Sequence, residues 1–118
     1  MLTSSHSLVL PLQLGGKVAV VGPLADTASK YNSDYAVAGM PPNSPSIADA
    51  VFALNKGHGG TTTTAPGVDI DSSDTTKMAA ALSLVEAADA TILVIGITKD
   101  QEHEGPSPPP TRIHTGMT

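Results

Sequence analysis

The chain has 118 residues, room for at most one ordinary domain of roughly 100–150 residues, and a formal net charge of −5. Its six Lys and Arg residues are scattered without a basic run, which argues against a nucleic-acid partner. The absence of cysteine excludes disulfides and thiolate metal sites.

Residues 1–14 read as a lead-in. Met1 to Ser7 is rich in Ser and Thr, and Leu8-Val9-Leu10-Pro11-Leu12 is apolar but interrupted by Pro11 and has no basic residue before it. That run is too short for a signal peptide core or a membrane span, so a soluble chain without a secretion signal is expected and a membrane partner is not. After the Gly15-Gly16 turn, Lys17-Val18-Ala19-Val20-Val21 is a continuous apolar run ending at Gly22-Pro23, the pattern of a central strand in a parallel sheet. Leu24 to Met40 reads as a loop with at most a short helix, and Pro41-Pro42-Asn43 as a turn.

Ser44-Pro45 offers an N-cap followed by proline in the first helical position. Ile47, Ala50, Val51 and Leu54 then recur at helical spacing, and Gly57 stands where a left-handed cap ends such a helix. Thr61 to Thr64 favour a strand through β-branching, a low-complexity tether being the alternative. Asp74 is the expected N-cap of a second helix carrying Met78, Ala81, Leu82, Val85 and Ala88 on one stripe. Thr91 to Ile95 follows as a strand without polar alternation, expected to be covered on both faces. Strands alternating with helices give an α/β fold: a partial, open, mostly parallel sheet flanked by helices. Three strands and two helices make a thin domain with unpaired edges, as expected of a piece of something larger. The domain spans 15–105, and the proline-rich 106–118 reads as a disordered tail.

Chemistry is expected just outside the carboxyl ends of such strands. Gly22-Pro23-Leu24-Ala25-Asp26 fits neither G-x-G-x-x-G nor the P-loop pattern. Asp69, Asp71 and Asp74 are spaced like Ca²⁺ ligands, but lack the glycine and glutamate of the EF-hand loop, so no metal site is expected. Behind the last strand comes Gln101-Glu102-His103-Glu104-Gly105. On an extended backbone Glu102 and Glu104 share a face and His103 points away, which suits a carboxylate pair better than a metal held by all three. Such a pair can supply a general acid; a solvated acidic loop is the competing reading.

Four stretches in register carry a family resemblance. Val9 to Leu12 with Gly16 to Asp26, then Ala65-Pro66-Gly67-Val68-Asp69-Ile70, then Ala80 to Gly96, and finally Gln101 to Gly105 resemble the second, α/β sandwich domain of glycoside hydrolase family 3. The last stretch is similar to the loop that reads E-G-x-D-R in that family. The resemblance implies retaining hydrolysis of terminal β-linked glucosides or xylosides without a cofactor, and hence a β-linked glycoside as substrate. It implies Glu104 as the acid/base, with Glu102 as second candidate, and an Asp nucleophile on a barrel domain that this chain lacks. Without that barrel, the chain by itself is expected to be inactive. After Gly105 the family's continuation gives way to Pro106-Ser107-Pro108, an abrupt loss of the kind a frame shift or mispredicted exon produces. A non-catalytic α/β module that binds a ligand at the Gly22 turn, or a partner at its sheet edge, is the alternative.

Overall fold

The computed structural model describes residues 9–32, 36 and 39–102. In chain order these form β1 (Lys17–Val21), a single 3₁₀ turn (Ala28–Lys30), α1 (Ile47–Lys56), β2 (Thr61–Ala65), α2 (Met78–Ala87) and β3 (Ala90–Leu93). The fold is α/β, as expected. The three strands make one parallel sheet in the order β2-β1-β3. Lys17 stands opposite Thr61 on one side of β1, and Val18 opposite Ala90 on the other.

The unbroken apolar run of β1 is explained by its central place. Val18 and Val20 face α1 and pack with Ala25, Ala48, Val51, Ile92 and Val94. Ala19 and Val21 face α2 and pack with Ala65, Ala81, Leu84, Val85 and Ala88. Both helices lean on β1 and β2. The third strand is therefore not covered on both faces as expected: Leu93 and Ile95 are 64% and 68% exposed, and among the described residues β3 is an edge strand. β2 is a true strand, which decides against a tether.

The start of α1 lies two residues beyond the expected cap. Ser46 is the N-cap: its Oγ accepts from the Asp49 N–H at 3.0 Å, and Asp49 Oδ2 accepts from the Ser46 N–H at 3.1 Å. Ser44 instead closes a turn, its hydroxyl donating to the Pro41 carbonyl at 2.6 Å. Gly57 is right-handed, with φ −60°, and the left-handed residue is Gly59 at φ +81°. The buried face of α1 is Ala48, Val51 and Asn55, rotated from the expected stripe; Ile47 and Leu54 are exposed. In α2, Ala81, Val85 and Ala88 pack as expected while Met78 and Leu82 are exposed. Lys77 rather than Asp74 occupies the cap position of α2. Asp74 Oδ1 accepts from the Thr76 N–H at 2.9 Å, in a turn that precedes the helix.

Asn55 joins α1 to the sheet. It is wholly buried; its Nδ2 donates to Gly16 O (3.0 Å), Thr61 O (2.9 Å) and Thr62 Oγ1 (3.2 Å), and its Oδ1 accepts from the Gly15 N–H (2.8 Å). Gly60 is glycine because a β-carbon there would collide with the Asn55 amide. Asp89 makes the matching tie on the other side of β1: its Oδ2 accepts from the Lys17 N–H at 2.8 Å and its own N–H donates to Lys17 O at 2.7 Å. Among the described residues no helix is long and apolar enough to cross a membrane.

Candidate functional site

With β1 between the other two strands, the chain leaves β1 towards β2 and returns to β3 on the far side. The carboxyl ends of β1 and β3 therefore flank a topological switch point, the place where open α/β sheets gather ligands. Here the two strand ends are joined by backbone. Val94 N–H donates to Val21 O at 2.8 Å, and Leu24 N–H reaches Val94 O at 3.4 Å. Gly22 (φ +124°) lies so close to Val94 that any β-carbon would strike its carbonyl. Gly96 lies against Leu24, an added β-carbon falling 3.0 Å from Leu24 Cδ1, which a small shift of that side chain would relieve.

The segment leaving this seam folds on itself. Thr98 is buried, and its N–H and hydroxyl both donate to Gln101 Oε1, at 3.0 and 2.7 Å. The Asp100 N–H donates to Thr98 Oγ1 at 3.3 Å, and the N–H groups of Gln101 and Glu102 both donate to Thr98 O at 3.0 Å. The Thr98-x-x-Gln101 spacing supplies one half of a capping box, the Gln101 side chain reaching back to the Thr98 N–H, while the Thr98 hydroxyl accepts from Asp100 rather than Gln101. Residues 98–102, at the start of the expected polar loop, form a tight turn, and the alternation that would set Glu102 beside Glu104 runs over residues outside those described. Glu102 is half-buried at the end of this turn. His103 and Glu104 lie outside the described residues.

Several neighbouring donors are engaged. Gly22 N–H donates to Ala65 O (3.0 Å) and Ala25 N–H to Gly22 O (3.1 Å), while Pro23 has no N–H. At the start of α1, Ile47 N–H donates to Tyr31 Oη (2.9 Å), Ala48 N–H to Ala25 O (2.9 Å) and Asp49 N–H to Ser46 Oγ (3.0 Å). A phosphate or other anion at the Gly22 turn would find these particular backbone donors already engaged.

Two hollows adjoin the seam. One, of about 390 Å³, lies between the ends of β1 and β2 against Asp26, Thr27 and Thr64. Asp26 Oδ1 there accepts from the Ser46 hydroxyl at 2.7 Å. The other, of about 310 Å³, is an apolar groove between α2 and β3 lined by Met78, Leu82, Val85, Leu93 and Ile95. Glu102 lines neither. The Asp69-Asp71-Asp74 stretch gathers no cation site: both Asp69 oxygens accept from Lys77 Nζ, at 2.9 and 3.0 Å. Among the described residues no three His, Asp or Glu side chains converge.

No protein-family model matches the chain, and no solved structure does. Among curated proteins the chain is similar to the exo-1,4-β-xylosidase bxlB of Emericella nidulans, with 33% identity over 95 residues. The similarity covers 80% of this chain and 12% of that protein, so the chain spans about an eighth of the length of the glycosidase it resembles.

Proposed function

We propose that this chain is a portion of a glycoside hydrolase that removes terminal β-linked xylose, or glucose, with retention of configuration. The observation that carries the reading is the 33% identity, over 80% of the chain, to an exo-1,4-β-xylosidase. The position of the acidic segment supports it, since that segment leaves β3 at the switch point. In this reading Glu104 is the acid/base and Glu102 the second candidate. The carboxyl group protonates the glycosidic oxygen as the bond to the sugar breaks, then takes a proton from the water that releases the sugar. Retention requires a carboxylate nucleophile about 5–5.5 Å from that acid. We assign it to a barrel domain outside this chain, as the family 3 resemblance implies.

Two measurements test the reading. The purified 118-residue chain alone should not turn over 4-nitrophenyl β-D-xyloside or β-D-glucoside, because an acid without a nucleophile forms no glycosyl-enzyme. In the Emericella nidulans xylosidase, exchanging the matched segment and the residues up to Gly105 for those of this chain should preserve hydrolysis. In that chimera Glu104→Gln should lower kcat about 10²–10⁴-fold on substrates with poor leaving groups, with azide rescuing Glu104→Ala. Full activity in Glu104→Gln together with loss in Glu102→Gln would transfer the role to Glu102. An inactive but folded chimera would overturn the reading.

A further inference from the structure

We infer that Thr98, paired with Gln101, is the positioning residue of the acid: a buried anchor that sets where the chain enters its acidic segment at Glu102. The inference rests on the glycosidase reading and deepens it, by naming the side chains that aim the carboxyl group.

The first ground is burial. From Ile95 to Gln101 every residue is exposed except Thr98, which is only 5% exposed. Thr98 is thus the last buried residue before Glu102. A valine would fill the same space with no polar group to satisfy, so what the hydroxyl adds is its bonds.

The second ground is where those bonds go. The Thr98 hydroxyl and N–H both donate to Gln101 Oε1, at 2.7 and 3.0 Å, and Thr98 Oγ1 accepts from the Asp100 N–H at 3.3 Å. With the turn closed in this way, Thr98 O receives the Glu102 N–H at 3.0 Å. Among the described residues every hydrogen bond of Thr98 stays within 98–102. These bonds tie no strand or helix to another; what they fix is the start of the acidic segment.

The third ground is the tolerance of the reaction. Four residues, the separation of Thr98 and Glu102, span about 13–14 Å when extended. The turn instead holds Glu102 N 3.0 Å from Thr98 O. An opened turn would let the carboxyl group travel several ångströms. A retaining pair works at about 5–5.5 Å, and a misplacement of about 1 Å can lower the rate about 10²-fold. The requirement holds for Glu102, whose own N–H is tethered, and for Glu104, which follows it in the chain.

The test uses the chimera described above, with kcat/KM measured on two substrates. Xylobiose has a leaving sugar that must be protonated, whereas the phenolate of 2,4-dinitrophenyl β-D-xyloside leaves without a proton, so their ratio reports the acid. Thr98→Val should lower kcat/KM on xylobiose about 10–100-fold and change it little on the aryl xyloside. Thr98→Ser, which keeps the hydroxyl, should restore xylobiose hydrolysis. Gln101 is exposed, so Gln101→Leu spares the fold even where Thr98→Val does not, and it should give the same selective loss. The double variant should lose no more than either single one, since the two side chains act as a pair. Equal loss on both substrates, the mark of a merely structural role, overturns the positioning role, and so does full activity on xylobiose in both single variants. In either case the unsubstituted chimera is active and the glycosidase reading stands. A folded chimera inactive on both substrates before any substitution overturns that reading and this inference together.

Discussion

Asn55 is the side chain on which the link between α1 and the sheet depends, and its replacement can be worked through. Asn55→Ala strips an acceptor from the Gly15 N–H and donors from Gly16 O and Thr61 O. An orphaned buried polar group costs about 1–3 kcal/mol. Gly16 O keeps its bond from the Thr61 N–H, and the Gly15 N–H and Thr61 O belong to exposed residues that can recruit water, so the lower figure applies to each of those two. The sum is about 2 kcal/mol, a factor of roughly 30 in the folded population, against a total stability of about 5–15 kcal/mol for an ordinary domain.

Asn55→Asp separates this account from simple loss of volume. The aspartate keeps the oxygen that receives the Gly15 N–H but turns a carboxylate oxygen towards two carbonyls that now receive an amide N–H. At pH 7 it should therefore be less stable than Asn55→Ala, although nearer to wild type in shape. Burial and carbonyl neighbours raise the introduced carboxyl's folded pKa above its unfolded value of about 3.9. The excess penalty is then full at neutral pH and shrinks as pH falls through the folded pKa. Urea unfolding followed by far-ultraviolet circular dichroism at pH 7 and pH 5, with unchanged slope, measures both effects. The reasoning is refuted if Asn55→Asp matches or exceeds Asn55→Ala at pH 7, or if both lie within about 0.5 kcal/mol of wild type, the range of ordinary surface substitutions.

Three further outcomes follow from the same geometry. Gly22→Ala should cost at least about 1–3 kcal/mol for its left-handed backbone, and more for the collision with Val94 O, and should raise amide exchange at Leu24. Unchanged exchange there would dissociate the glycine from the seam. Ser46→Ala should lower stability by about 1–2 kcal/mol through loss of the cap, and Ser46→Thr, which keeps the hydroxyl that bonds the Asp49 N–H and Asp26 Oδ1, should recover part of it, as measured by the same urea titration. Asp74, fully exposed, is held below its ordinary carboxylate value mainly by the Thr76 backbone N–H and hydroxyl, with a smaller contribution from Lys77. A depressed folded pKa stabilises above the unfolded value and the benefit is lost as pH falls through the folded one. Carbon-detected titration should find its midpoint below 3.8, and Thr76→Pro, which removes the N–H, should return it upward.

Much of the fold was legible because it rests on local pattern. A continuous Val-Ala run marks β1, and β-branching marks β2. Position within the sheet was not legible in the same way. Thr91 to Ile95 reads as apolar whether its second face is covered by a helix or left bare, and only the strand order reveals the edge. The shift of the α1 cap was readable in principle, because Ser46-x-x-Asp49 forms a reciprocal box that Ser44 cannot make. Thr98-x-x-Gln101 carried half of that signal for the turn before Glu102. Asn55 left no trace, since one polar residue on a helix looks like any surface position until Gly15, Gly16 and Thr61 are brought around it. Of the candidate carboxylates, Glu102 is placed at the end of a closed turn, and Glu104 lies outside the described residues.

The two ends of the sheet are built differently, and the difference bears on where chemistry can be carried. At the amino end, Asn55 and Asp89 bind the approaches of β1 from both sides with side-chain bonds spanning 39, 40 and 72 residues of chain. Substitution there falls on the whole fold. At the carboxyl end the seam between Gly22, Leu24 and Val94 is backbone on backbone, and the bonds described in the turn beyond it run between Thr98 and the next four residues. A carboxylate carried by such a turn is aimed by local bonds that can change without unfolding the sheet. That separation of tasks, distant polar ties below and a locally bonded turn above, is what the proposed glycosidase reading requires of a frame that presents an acid to another domain.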